Sequence, residues 1–336
     1  MSPAAKQRLF FLVKLVVTAG LVGWLVRSGA LDMGALSLFL EQKSLLAMDL
    51  AVFFLASVLI ATVRWRVLLG LADVRVPFLR AVQLQFVSLF FNVVIPGNVG
   101  GDVIKALYVA GDGHAEKRTT LLLIAFVERL VGLGGLVTMG LVMVLFRGQT
   151  LWASPLFRPM VTSVLILGAG FVLGPAVFVG LMRRFGARME LWASGTSPIS
   201  RLLRNLVASF RLVSERPWRL ICALGLSMAL HFVNMSFFTF LTGVVGKEEV
   251  TFSAIASIYP LGLLSMMLPV SAAGIGVGHV AFDRLFTAVG LAHGATVFNL
   301  FFFGQIAPCV LGVFPYLSLR AKTQAAVADG VPPSTT

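Results

Sequence analysis

Glu128 and Arg129 stand side by side about nine residues into an unbroken apolar run, 119–146. At ~1.5 Å per residue the pair lies ~14 Å along a helix of ~42 Å, near mid-depth if the run crosses a bilayer. A charge at the bilayer centre costs about 2.5–3.5 kcal/mol on insertion scales, so a pair retained there is informative. Neighbouring helix positions point about 100° apart, so the two cannot simply neutralise each other. At least one must face another partner. Arginine suits a phosphate because its planar fork binds two oxygens at once, and a glutamate beside it would orient that group or carry a proton. The competing reading is a structural ion pair buried between helices.

A second polar set is the stretch IPGNVGGDVIK, residues 95–105, with Asn98, Gly100, Gly101, Asp102 and Lys105. Backbone facing lipid must hydrogen-bond internally, so an open loop there either lies outside the membrane or lines something wet. Asp102 reads most simply as a helix N-cap. That role occupies the place where a helix N-terminus would otherwise hold an anion, which leaves Lys105 to supply positive charge. A third set is SAAGIGVGH, residues 271–279, with Gly274, Gly276, Gly278 and His279 and no acid. Its glycines either turn several N–H groups one way, as anion-binding nests do, or let helices pack closely. His231 and Asn234 read as interhelical hydrogen-bonding groups, Asp283–Arg284 as an interfacial or paired couple, and Asn92 as a further polar residue within the membrane.

No set of residues suggests bond-making chemistry, and the chain is not expected to be an enzyme. There is no HExxH, no Walker A, and GNVGGD is not the dinucleotide-binding GxGxxG. Cys222 and Cys309 fall in apolar runs without metal or redox spacing. Neither metal nor cofactor is expected.

The elements that carry these residues follow from composition. The 336 residues are 58% hydrophobic and 12% charged, with mean hydropathy +0.94; a soluble domain would be ~25% charged. The net charge of +13 is spread over short loops, which argues against nucleic acid as a partner. Spanning helices need ~20 apolar residues. Six runs qualify: 9–26, 45–63, 119–146, 159–182, 220–241 and 295–317. The start of the chain could be a signal peptide ending near SGA (28–30), but the simpler reading is an uncleaved first helix.

Loop lysines and arginines orient the spans. The stretch 183–219 holds eight arginines against Glu190 and Glu215, which places it in the cytoplasm with both termini. RWRVLLGLADVR, residues 64–75, then falls inside as a basic loop, and GKEE (246–249) falls outside. Regions 76–110 and 251–291 each begin and end on one side, so each is expected to be a re-entrant helical hairpin, the two entering from opposite faces. In the first, 86–95 and 103–110 would be half-depth helices with 77–85 along the interface. In the second, Pro260 would break or kink the descending helix. The expected fold is therefore an all-α integral membrane bundle, one transmembrane domain over 1–319, with six full spans and two opposed hairpins in an inverted-repeat arrangement. ISRLLRNLVASFRLV, 199–213, has an apolar face free of its arginines and either lies on the cytoplasmic leaflet or packs on the bundle. Residues 320–336 read as a disordered tail.

FNVVIPGNVGGDVIKALYV, then ERLVGL, then LPVSAAGIGVGH, in that order, resemble the lysylphosphatidylglycerol synthase transmembrane-region family, also called flippase-like domain proteins. Members are lipid translocases or membrane portions of lipid-decorating enzymes. The resemblance implies a working centre at Gly100, Gly101, Asp102, Glu128 and Arg129. It departs at His279, where a glutamate is expected, and at Lys105, where arginine is common. Histidine changes charge near neutral pH and could substitute for such a glutamate. The function expected is translocation of a phosphate-bearing lipid (an anionic or aminoacylated phospholipid, or a polyprenyl-phosphate-linked glycan) in a bacterial-type plasma (inner) membrane. The alternatives are the membrane subunit of an aminoacyl or glycosyl transferase, and an ion-coupled small-solute transporter. Expected partners are lipids with phosphate headgroups, and beyond them a second copy of the chain or a lipid-biosynthesis enzyme.

Overall fold

The computed structural model describes residues 33–95, 100–153, 155, 157–193, 215–266 and 275–319, all helix and connecting turns. The expected span 9–26, the amphipathic stretch 199–213 and the tail lie outside the described residues. Five helical segments are long and apolar enough to cross a bilayer: Lys43–Ala72, Ala115–Phe146, Phe157–Gly174, Pro217–Gly246 and Gly294–Leu319. They correspond to the other five expected spans.

After α1 (Met33–Glu41), the first of these segments is a rod built from α2 (Lys43–Phe53), a π-helical stretch Phe54–Ile60, α3 (Ala61–Leu69) and a 3-10 turn Gly70–Ala72. It runs nine residues beyond the expected end at 63. Arg64 and Trp65 therefore belong to the helix, not to a basic loop. The left-handed Asp73 (φ 53°) closes it.

The first expected hairpin is a pair of helices, α4 (Phe78–Val94) and α5 (Gly100–Gly111). Here the expectation of an interfacial segment followed by a half-helix is corrected. Pro77 sits at the N-cap, where its missing N–H is not needed, and the helix runs on without a break through Arg80, Gln83 and Gln85. Arg80 instead pairs with Asp112 across the open end of the hairpin, at 2.9 Å. The helices cross closely at Gly101, where any Cβ would overlap the Ser88 carbonyl. Gly101→Ala is expected to destabilise the solubilised protein by roughly 1–3 kcal/mol, as overpacking does, seen as a lower thermal midpoint. Gly111→Ala, with open space around it, should leave the midpoint unchanged.

Helices α6 (Arg118–Ala153), α7 (Phe157–Ala193) and α8 (Pro217–Gly246) follow. The second expected hairpin is α9 (Phe252–Ser265) and α10 (Ile275–Ala288), and α11 (Gly294–Ile306) leads into a 3-10 turn, Ala307–Gly312. Pro260 does not end α9, which continues through it to Ser265.

Among the described residues, the two larger apolar cores hold most of these elements. One joins α3, α4, α5 and α6 around Trp65, Leu84 and Ile124. The other joins α8 to α11 and is aromatic. Phe238 lies 5.0 Å from Phe282, which stacks on Phe298 at 5.1 Å. Gly262 and Gly278 let these rings close in, since a Cβ would overlap Phe282 at the first and Phe298 at the second.

Candidate functional site

The sequence of α5 builds the site. Because Gly101 brings its backbone onto α4, Asp102 arrives beside Ser88, and Lys105 lies one turn further on the same face. Ser88 Oγ donates to Asp102 Oδ1 at 2.9 Å, and Lys105 Nζ lies 3.5 Å from that oxygen. The N-cap expected of Asp102 is not what it does. It is the third residue of α5, and its carboxylate turns to side chains on other helices. The Gly101 N–H donates instead to Asn92 Oδ1, at 2.9 Å. Local capping lost to tertiary ion pairing because α6 places an arginine within reach.

In α6 the adjacent charges diverge as helix geometry requires. Glu128, 3% exposed, turns towards α5 and α3. Lys105 Nζ lies 2.9 Å from its Oε2 and 3.1 Å from its Oε1, and Arg64 lies 3.4 Å from Oε1. Arg129 turns to the α4–α5 crossing and meets Asp102 Oδ2 at 2.7 Å, with Asn92 Oδ1 at 3.5 Å. Its side chain stays 34% exposed.

Lys105 is at the centre and is wholly buried. Beyond its two carboxylates it donates to Gln85 Oε1 at 3.2 Å and stands 4.7 Å from the Trp65 ring centroid, a cation–π contact. Arg64 also donates to Ser227 Oγ on α8, at 3.0 Å. His231, one turn along α8, reaches the Gly132 carbonyl through Nε2 at 3.2 Å. Among the described residues the cluster thus has three cations, Arg64, Lys105 and Arg129, against two carboxylates, Asp102 and Glu128. The count leaves an excess of one positive charge, and the most exposed cation is Arg129, which is itself paired with Asp102.

Not every expected residue joins it. Asn98 and Gly274 lie outside the described residues. Gly100 opens α5, where a Cβ would overlap the Ile95 side chain. Gly276 falls in the first turn of α10. Gly278 serves close packing, the second of its two readings, and His279 stands edge-on to Phe298 at 5.0 Å. Asn234 is buried on α8. Asp283 and Arg284 are exposed, and no salt bridge joins them among the described residues. The second hairpin therefore answers the charged first one with aromatic rings. The sequence reading missed Arg64, Trp65, Gln85, Ser88 and Ser227. The available signal was helical continuation past residue 63, which puts Arg64 on the same rod as the preceding apolar turns.

A separate group of cations caps the end of α3. Arg216 donates to the Gly70 carbonyl at 2.8 Å, Arg219 to Val67 at 3.2 Å and Lys117 to Ala72 at 3.0 Å, satisfying carbonyls that a helix end leaves open. Beside them lies a cavity of about 340 Å³ with Arg66, Arg75 and Arg219 in its lining. The hydrogen bond from Arg216 holds the Asp73 carboxyl below its ordinary 3.8, and the same bond raises Arg216. That pair's contribution is therefore present above the ordinary carboxylate range. It fades as pH falls through the lowered value.

Long apolar helices around a buried ionic cluster define an integral membrane protein of helical type. Within that class the chain belongs to the lysylphosphatidylglycerol synthase TM-region family, whose model matches residues 11–312. Membership makes it a membrane protein related to lipid handling. No curated protein and no solved structure matches the chain.

Proposed function

We propose that the chain is a lipid translocase that passes a phosphate-bearing headgroup between leaflets of a bacterial-type plasma membrane, without itself altering the lipid. The observation that carries this reading is the charge cluster: an excess of one cation among the described residues, with the 34% exposed Arg129 as its open member. A phosphate would complete the charge balance, with Arg129 presenting its fork and Glu128 holding Lys105 and Arg64 in place behind it. The lipid tails would stay in hydrocarbon while the headgroup moves past α4, α5 and α6.

The helix lengths support two re-entrant hairpins in such a path. Within the described residues, helices α4, α5, α9 and α10 have 17, 12, 14 and 14 residues, all short of the ~20 a crossing needs. The Arg80–Asp112 pair ties the two ends of the first hairpin together, as expected where both leave on one side. Single cysteines at Asp112 and Lys247 should label from opposite faces of the membrane. Labelling from the same face would defeat this topology.

The function itself is tested by reconstitution. Purified protein in liposomes should accelerate leaflet exchange of labelled phosphatidylglycerol or a polyprenyl-phosphate lipid, and leave a neutral diacylglycerol unaffected. Failure across the whole phosphate panel would reject the reading. A covalently altered lipid in cells carrying the protein, and missing without it, would favour the transferase-subunit alternative.

A further inference from the structure

Asp49 takes no part in the cluster around Lys105. It lies in α2, inside a segment long enough to cross the membrane, and is 1% exposed. Its carboxylate rests on Gly304 of α11, where a Cβ would overlap both oxygens and the carbon between them. Oδ1 has no hydrogen-bond partner among the described residues. The residue after that glycine, Gln305, has the complementary defect: its Nε2 is buried and also without a partner among them. The Gln305 Oε1 accepts from Ser57 Oγ at 3.1 Å.

Both helices are irregular here. The α2 rod becomes π-helical from Phe54 to Ile60, the stretch that supplies Ser57, and α11 tightens into the 3-10 turn Ala307–Gly312 just after Gln305. Such departures inside long helices recur at hinges and functional sites. Among the described residues, the ionisable groups on the elements packed against α2 give Asp49 no counter-charge. The π stretch and α11 carry none. On α1, Glu41 is exposed, as is Lys43 on α2 itself. On α8, His231 is engaged with Gly132, Arg219 with the carbonyl of Val67, and Cys222 is exposed.

We propose that Asp49 is the proton-binding site that couples lipid movement to a proton gradient. The proposal rests on the translocase reading above. An ionised carboxylate without a partner is costly in such surroundings, whereas the protonated acid is tolerated. Oδ1 takes a proton from water on one side of the membrane, and the neutral carboxyl packs on Gly304. When the O–H bond breaks and the proton leaves to the other side, the carboxylate needs a donor. The Gln305 Nε2–H group, one residue along α11, is that donor. Reaching it shifts α11 against α2, so the two protonation states favour two packings of the same helices. A metal cation fits less well, because hard cations need several oxygens. The Gln305 oxygen is taken by Ser57, and no group of three or more His, Cys, Asp or Glu gathers among the described residues.

The full chain is reconstituted in phosphatidylethanolamine–phosphatidylglycerol liposomes holding fluorescent phosphatidylglycerol. Leaflet movement is measured with and without an imposed pH gradient. The gradient should speed movement several-fold in the wild type, D49N should bring that ratio to one, and D49E should restore part of it. Undiminished stimulation in D49N, or stimulation by a sodium gradient alone, overturns the proposal. A wild type that moves lipid equally with and without the gradient also overturns it, while leaving the translocase reading intact. If the wild type moves no lipid at all, the translocase reading fails, and coupling with it. If D49N alone loses all movement, infrared difference spectra of the solubilised proteins decide. A protonated-carboxyl band present in wild type and missing in D49N supports the site, and identical spectra overturn it.

Discussion

Lys105→Met is expected to destabilise the protein more than any other single change in the cluster, by about 3–5 kcal/mol, the usual cost of removing one partner from a buried ion pair. Lys105 is wholly buried and lies 2.9 Å from Glu128 and 3.5 Å from Asp102. Methionine fills much the same volume, so the loss measured is electrostatic. Glu128 would keep only the longer Arg64 contact, at 3.4 Å, and Gln85 Oε1 would lose its donor. A fall in the thermal midpoint of the detergent-solubilised protein reads this out. Removing both partners, as Lys105→Met with Glu128→Leu, should cost less than the sum of the two single changes, because neither charge is then left alone. An additive result would mean that the two charges are not coupled.

Arg129→Ala is expected to show the opposite balance. Its side chain is one-third exposed, and without it Asp102 still has Ser88 at 2.9 Å and Lys105 at 3.5 Å. The protein should insert and stay folded, with a loss of stability well below that of Lys105→Met. Lipid movement should nonetheless fall by roughly tenfold or more, because the most exposed cation and its two-pronged geometry are gone. Arg129→Lys restores charge without the fork and should fall between the two, since lysine binds phosphate only as a point charge. Normal lipid movement in Arg129→Ala would reduce this residue to a structural partner of Asp102.

The charged centre was legible in the sequence because lipid makes charge expensive. Any ionisable residue deep in an apolar run stands out, and the turn of a helix already says that Glu128 and Arg129 must part company. Their separate partners, Lys105 with Arg64 and Asp102, bear that out. What was not legible were contacts that depend on which helices meet. Asp102 looked like an N-cap because capping is a local rule, and nothing local reveals an arginine arriving from α6. Arg64 reads as part of a loop because charge signals water, whereas the helix runs on to Leu69 and the side chain turns inward. The polar residues of 77–85 suggest an interfacial segment. Gln85 is instead buried on Lys105, and Arg80 pairs at the hairpin's end. The glycines of the second hairpin left two readings open, and at Gly278 the ring of Phe298 decides for packing. Asp49 stands only four residues inside the run 45–63, too near its end for depth to single it out.

The claim that the cluster exists to receive a phosphate is tested most directly by what lipid the protein keeps. Native mass spectrometry of wild-type protein released from mild detergent should show retained lipids carrying a phosphate headgroup, and Arg129→Ala should lose them while remaining folded. Retention of the same lipids in both proteins, or of neutral lipids alone in the wild type, would contradict the account.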